Sequence, residues 1–305
     1  MKKIQFSTLF VLFTLSSMFL SGAFAATACA AITREISGYG FNTKFKLFNR
    51  LSQSFPIFSG ANWLRENRLA ANDSTHFAKD VLDSRGMNLE IAQGTLDSIT
   101  ETDRPLIIAA NHGSGFFEAL AILKLALSKR SGVKILGIGR GPVTGIDEYL
   151  FKIQNPDEPK RKSAHRAALK AMIQHMHDGG ALIIFPSGSI AANLQADGRY
   201  TEPEFKDTFV SLARKTGADI LPIFIETKNS KFFYRFRDYY YRHYESFGAK
   251  ALGSFYNFLL VREFATKKNQ TYQVKIGELI HADSFEGKSN SDIAAEIQQV
   301  IYGMR

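Results

Sequence analysis

Arg104-Pro-Leu-Ile-Ile-Ala-Ala-Asn-His-Gly-Ser-Gly-Phe-Phe-Glu118 is the stretch from which the fold is read. Residues 106–110 form a short continuous apolar run after a proline, the pattern of a strand buried on both faces. From Phe117 to Leu127 the apolar residues recur at helical spacing, so a helix follows. His112 therefore stands where a strand gives way to a helix. In open α/β sheets ligands bind outside the carboxyl ends of strands, which makes this junction a candidate active site. Glu118 lies six positions on. A histidine with a nearby carboxylate is how a general base and its orienting acid are mounted. The same residues also suit a structural histidine in a loop beside an unrelated carboxylate, and this segment by itself does not choose.

Working outward, the pattern from Asn88 is strand, strand, helix, strand, with strands expected at 89–92, 106–110 and 133–137. A Gly- and Pro-rich loop, 137–145, and a polar loop through 155–162 precede a helix at 163–177, which Asp178-Gly-Gly stops. Residues 181–185 read as a further buried strand ending in Pro186-Ser-Gly-Ser189. A helix at 205–216, strands at 220–226 and 272–276, and a last helix at 291–302 complete the series. Strands alternating with helices imply an α/β fold with a mainly parallel sheet covered by helices on both faces. Residues 26–86 lack strand alternation and read as a helical leader. Within it Asn72-Asp-Ser-Thr is a helix-start signal for a helix at 75–84. Residues 87–305 form the main domain. No internal repeat is visible.

The chain of 305 residues, 45% apolar, can bury a large core. Met1-Lys-Lys, an apolar run over 4–20 and Ser21-Gly-Ala-Phe-Ala25 together have the layout of a secretory signal cleaved after Ala25. Residues 4–25 are also about long enough for a retained membrane anchor. Basic residues on both sides, Lys2 and Lys3 before and Arg34, Lys44, Lys46 and Arg50 after, leave its orientation open. Cys29 is the sole cysteine, so no intramolecular disulfide forms. Ala26-Thr-Ala-Cys29 departs from a lipoprotein cleavage site in lacking leucine three residues before the cysteine. Loss of residues 1–25 would leave 36 basic and 29 acidic side chains, a net charge of +7. Such a balance suits an anionic lipid surface or a nucleic acid, and charge alone does not decide between them.

Several chemistries are excluded by spacing. A Gly-x-Ser-x-Gly nucleophile elbow would need glycine where His112 precedes Ser114 and where Phe185 precedes Ser187. Gly139, Gly141 and Gly145 match neither a dinucleotide-binding fingerprint nor a P-loop. His175, His177 and Asp178 share one helix end, and helical positions two apart point to different faces, so no metal site is expected. The segment 231–264 holds thirteen of the chain's thirty-eight aromatic residues among Lys231, Arg235, Arg237, Arg242, Lys250 and Arg262. It reads as a lipid-headgroup surface or as packing in an irregular helical insertion. No nucleic-acid recognition module is present, so nucleic acid is not an expected partner. Two strand ends carry small polar loops, Asn111-His-Gly-Ser-Gly115 and Pro186-Ser-Gly-Ser189, and a parallel sheet puts both on one edge. A base, a carboxylate and loops presenting backbone N–H groups suit acyl transfer to an alcohol by direct attack.

On these residues the chain resembles the glycerolipid acyltransferase superfamily, whose first block is Asn-His-x-x-x-x-Asp and whose third is Phe-Pro-Glu-Gly-Thr. It is most similar to the hemolysin-like branch that includes ornithine-lipid acyltransferases. There the acid lies one residue further on and the third block reads Phe-Pro-Ala-Gly. Ala110-Asn-His-Gly-Ser-Gly-Phe-Phe-Glu118 fits the longer spacing, and Ile184-Phe-Pro-Ser-Gly188 the altered block. Residues 205–222 resemble the fourth block with its preceding helix. Asn229-Ser230, Leu260-Val-Arg-Glu263 and Val274-Lys-Ile-Gly277 are similar as well, and the resemblance spans about residues 87–283.

The resemblance implies a membrane-associated acyltransferase of lipid metabolism. It needs no bound cofactor, takes acyl-CoA or acyl carrier protein as co-substrate, and has membrane lipids as partners. It makes His112 the base and Glu118 the carboxylate that holds it. Asn111, Gly113, Ser114 and Gly115, with Phe185, Pro186, Ser187, Gly188 and Ser189, would line the substrate site. The third block lacks the superfamily's Glu and has no Arg just after Ser189. Phosphate recognition as in lysophosphatidic acid synthesis is therefore not expected, and Arg140 is the candidate replacement cation. Such donors are cytosolic whereas an export signal places the enzyme outside, so the expectation is either a retained anchor with the domain in the cytosol or an exported, phospholipid-dependent transacylase; the altered third block also suits a lipid-binding protein of the same fold that has lost catalysis.

Overall fold

A computed structural model of the chain describes residues 77–138, 149–153, 162–191, 193–195, 200–242, 259–260, 263 and 266–305. The N-terminal signal or anchor, Cys29, most of the leader and Arg140 lie outside them. Seven strands form one sheet in the order β1-β9-β8-β2-β5-β3-β4. They are β1 (Asn88–Gln93), β2 (Leu106–Ala110), β3 (Val133–Ile138), β4 (Leu150–Ile153), β5 (Ala181–Ile184), β8 (Asp219–Ile225) and β9 (Thr271–Ile276). A separate two-stranded antiparallel ribbon joins β6 (Asn193–Leu194) to β7 (Tyr200–Thr201). The helices are α1 (Phe77–Asp83), α2 (Phe116–Leu127), α3 (Lys162–His177), α4 (Thr208–Thr216), α5 (Lys231–Arg242) and α6 (Asn290–Gly303).

The strand at the centre is the one the opening stretch predicts. β2 pairs in parallel with β5 on one side and β8 on the other, and all five of its residues are buried. Successive side chains of a strand point to opposite faces. Accordingly Leu106, Ile108 and Ala110 enter one core with α1 and α2, while Ile107 and Ala109 enter the other with α3, α4 and α6. β5 and β8 divide the same way, Ile183 and Ile223 facing one core and Leu182 and Phe224 the other. This double burial is why the central strands read as unbroken apolar runs. The fold is α/β with a mainly parallel sheet and helices on both faces.

Several local expectations change. β9 runs antiparallel to β8 and carries β1 parallel to itself, so this end of the sheet is reversed. Pro222 is tolerated in β8 because the pairing with β9 begins at Ile223. Before it, Ile220 bridges Ile280 and the Pro222 carbonyl accepts the Gly277 N–H, neither of which asks Pro222 for a donor. α4 starts at Thr208 rather than 205. The Phe205 and Lys206 N–H groups bond to the Gln298 side chain and the Pro186 carbonyl, outside any helical ladder. The expected irregular insertion begins as a regular α5. Among the described residues no helix is long and apolar enough to cross a membrane.

Parallel β5, β2 and β8 deliver their carboxyl ends to one edge of the sheet. A third apolar cluster lies over that edge, made of Ile190, Phe233, Tyr234 and Leu259 with Tyr200, Phe232, Phe236 and Leu260 packed against it. The opposite edge is closed by a structural knot. Fully buried Asp219 accepts from Thr102 Oγ1 at 2.7 Å and from the Ala282 N–H at 3.1 Å.

Candidate active site

His112 leaves the end of β2 with its ring stacked on Phe185 from the end of β5, centroids 4.4 Å apart. The two loops singled out in the sequence therefore meet, and a third, from β8, joins them. The imidazole is half-buried, and its Nδ1 is buried with no hydrogen-bond partner among the described residues. Burial holds the ring below the ordinary histidine value. The Glu118 charge opposes that shift and the Arg237 charge reinforces it. Burial thus favours the neutral ring.

Glu118 is fully buried in the first turn of α2. The spacing suggests that it grips the imidazole, but its oxygens are engaged elsewhere. One accepts the Ser114 N–H and the Thr227 hydroxyl, the latter at 2.7 Å, and the other accepts the Ser114 hydroxyl at 3.0 Å. It thus ties the helix start to the β8 loop, where a carboxylate also complements the helix dipole. Its influence on His112 is one of charge, not of a hydrogen bond.

Glycine is required twice in this loop. A Cβ on Gly113 would lie 2.6 Å from Thr227 Oγ1. Gly115, the N-cap of α2, has φ +104°, and a Cβ there would lie 2.8 Å from Ile190 Cδ1. Backbone strain and contact act together, so Gly115→Ala is expected to destabilise the fold by about 2 kcal/mol, read as a lower thermal unfolding midpoint.

Other predicted lining residues take supporting places. Asn111 is buried and exchanges two hydrogen bonds with the Ile225 backbone, Nδ2 to the carbonyl at 2.9 Å and Oδ1 from the N–H at 2.8 Å. It stitches β2 to β8. In the Pro186–Ser189 turn the Gly188 N–H bonds the Phe185 carbonyl and the Ser189 N–H bonds Ser187 Oγ. These two N–H groups hold the turn.

Four residues not assigned to the site from the sequence converge on it. Arg237 of α5 is buried, and its Nη2 donates to Ser189 Oγ at 2.6 Å. Lys267 is buried too, its Nζ donating to Asn229 Oδ1 at 3.1 Å, while Asn229 Nδ2 reaches the Ser114 carbonyl at 3.1 Å. Burial lowers the Lys267 ammonium, against the pull of Glu118 and Glu263. Tyr234 donates to the Gly113 carbonyl at 3.3 Å, and burial pushes its phenol up to about 12. Glu202, just after β7, accepts the His112 backbone N–H and the Tyr302 hydroxyl on one oxygen, the latter at 2.9 Å. Its other oxygen lies 2.5 Å from Ser187 Oγ. A carboxyl from another part of the chain thus reaches the Pro186–Ser189 turn.

No protein-family model matches the chain. Over 125 residues the chain is 28% identical to a lyso-glycine lipid O-acyltransferase of Phocaeicola vulgatus. The match covers 40% of this chain and 41% of that protein.

Proposed function

We propose that the protein is a membrane-associated O-acyltransferase that moves a fatty acyl group from a thioester, acyl-CoA or acyl carrier protein, to the hydroxyl of a lysolipid. The likeness to a lipid O-acyltransferase supports the reaction class. The observation that carries the reading is a half-buried imidazole, stacked on Phe185 at the meeting point of the β2, β5 and β8 loops, with the buried Glu118 carboxylate within electrostatic reach. His112 takes the acceptor's hydroxyl proton as that oxygen attacks the thioester carbonyl. The tetrahedral intermediate expels the thiolate, which recovers the proton from the imidazolium, leaving an ester and a free thiol. No activated side-chain nucleophile is needed. Glu118 stabilises the imidazolium through charge, and buried Arg237, whose charge already acts on His112, supplies positive charge for the developing oxyanion.

The third block lacks both the Glu and the Arg of phosphate-recognising relatives. The similar bacterial enzyme is named for a glycine lipid. Both features favour a lysolipid with an amino-acid headgroup over lysophosphatidic acid. The test is incubation of the full chain in mixed micelles with radiolabelled acyl-CoA or acyl carrier protein and lysolipids bearing glycine, ornithine or phosphate headgroups. The expected result is an O-acylated amino-acid lipid with one thiol released per ester formed. Lysolipid binding with no product from either donor would instead favour a lipid-binding protein. Product formed only with a phospholipid donor would favour an exported transacylase.

A further inference from the structure

Ser187 has one hydroxyl hydrogen and two acceptors in reach, the Ser189 carbonyl at 2.9 Å and Glu202 Oε2 at 2.5 Å. If Glu202 is ionised, Ser187 must abandon one of them. If Glu202 carries a proton, every group is satisfied at once. Its O–H donates to Ser187 Oγ, whose own hydrogen goes to the Ser189 carbonyl, while the remaining oxygen accepts from the His112 N–H and the Tyr302 hydroxyl. The Tyr302 oxygen in turn accepts the Glu202 N–H at 3.2 Å. We propose that Glu202 is a positioning residue of this site that acts in its protonated form, its carboxyl clamping the His112 loop to the Pro-Ser-Gly-Ser turn and both to α6. The proposal deepens the acyltransferase reading and rests on it for the activity measurements below.

The surroundings agree. Glu202 is buried, and its hydrogen-bonding neighbours are the Ser187 and Tyr302 hydroxyls and a backbone N–H; none is a cation. The nearby Glu118 carboxylate and burial both favour the neutral form, and burial is the larger cause. His112, in the half-buried loop, is itself held neutral, and Tyr302 is pushed upward by burial and by Glu202. Arg305 acts on Tyr302 in the opposite sense. The hydrogen bonds lower the Glu202 carboxyl only part of the way, leaving it at about 7.

Glutamine reproduces the protonated form, its amide N–H replacing the carboxyl O–H and its carbonyl accepting from His112 and Tyr302. Glu202→Ala should lose transfer by about tenfold or more at every pH. Glu202→Gln should rescue it near pH 6.5 and hold its rate above pH 7, where the parent's declines. By pH 8 the Gln variant should exceed the parent by about tenfold, since one pH unit above the carboxyl's pKa removes about nine-tenths of the protonated form. A Gln variant as inactive as Ala at pH 6.5, with an unchanged unfolding midpoint, would overturn the proposal.

A second readout makes no use of activity. A carboxyl near 7 when folded and near 4.5 when unfolded contributes stability below about pH 4.5 that is lost as pH rises to about 7. Glutamine does not titrate. The Tm of Glu202→Gln minus that of the parent should therefore rise between pH 5 and 7.5, by about 5 °C, and level off above. A difference that stays flat across that window would refute the protonated clamp, even if no lipid acceptor is ever acylated. A rising difference without transfer in any variant would leave the clamp standing and count against the acyltransferase reading alone.

Discussion

His112→Ala is expected to lower kcat/KM for acyl transfer by about 10²–10⁴-fold while the unfolding midpoint stays close to the parent's. The asymmetry follows from the ring's surroundings. Its stack on Phe185 is worth about 0.5–1.5 kcal/mol, and removing it costs that much. Its buried Nδ1, however, has no partner among the described residues, and an unsatisfied buried polar atom costs about 1–3 kcal/mol to keep. Deleting the ring removes that penalty as well as the stack, so the two largely cancel. The pH profile adds a second check. Because burial lowers the imidazole, its base form persists below pH 6.5, so the acid limb of the parent's rate should fall below the midpoint of an ordinary histidine. Full transfer activity in a folded His112→Ala protein would remove the base from the mechanism.

What the sequence displays and what it conceals follow from how much burial each element carries. β2, β5 and β8 are covered on both faces and announce themselves as apolar runs. β4 is an edge strand paired on one side, and its Leu-Phe-Lys-Ile is too short and mixed to show a period. The two-residue strands of the β6–β7 ribbon carry no period at all. The reversal of β9 and β1 is a matter of chain path, which periodicity does not encode. The site divides similarly. Its two glycine-containing loops are visible because tight turns and close approach demand particular residues. Glu202 is hidden in Tyr200-Thr-Glu-Pro-Glu204, a polar run like that of any solvated loop, and gains its meaning when the chain returns beneath the β5 turn. Arg237 reads as one more cation in an aromatic segment. The partner that gives it a local role, Ser189, lies 48 positions away. Hydrogen bonds across such distances leave no local pattern.

Glu118 is where sequence spacing and observed contact diverge most, and its two substitutions are expected to separate. Glu118→Ala deletes a fully buried carboxylate and strands the Ser114 N–H, the Ser114 hydroxyl and the Thr227 hydroxyl that it accepts. Leaving such donors unpaired costs about 1–3 kcal/mol each when water cannot replace the partner. A loss of at least about 3 kcal/mol is expected, seen as a fall in Tm of roughly 5 °C or more. Glu118→Gln keeps the shape. Its carbonyl oxygen can still accept from the Ser114 N–H and Thr227, and its amide can donate to Ser114 Oγ, so most of the stability should survive. What glutamine lacks is charge. The Glu118 charge raises the His112 imidazole, so its loss must lower that group further and destabilise the imidazolium formed during proton transfer. The expected signature is a fall in kcat of about tenfold with KM little changed, one pKa unit of lost support being about 1.4 kcal/mol, and an acid limb displaced to still lower pH. A purely structural brace would give the opposite pattern: a Tm lowered alike by Ala and Gln, and an undisturbed pH profile in whatever fraction of the Gln protein remains folded.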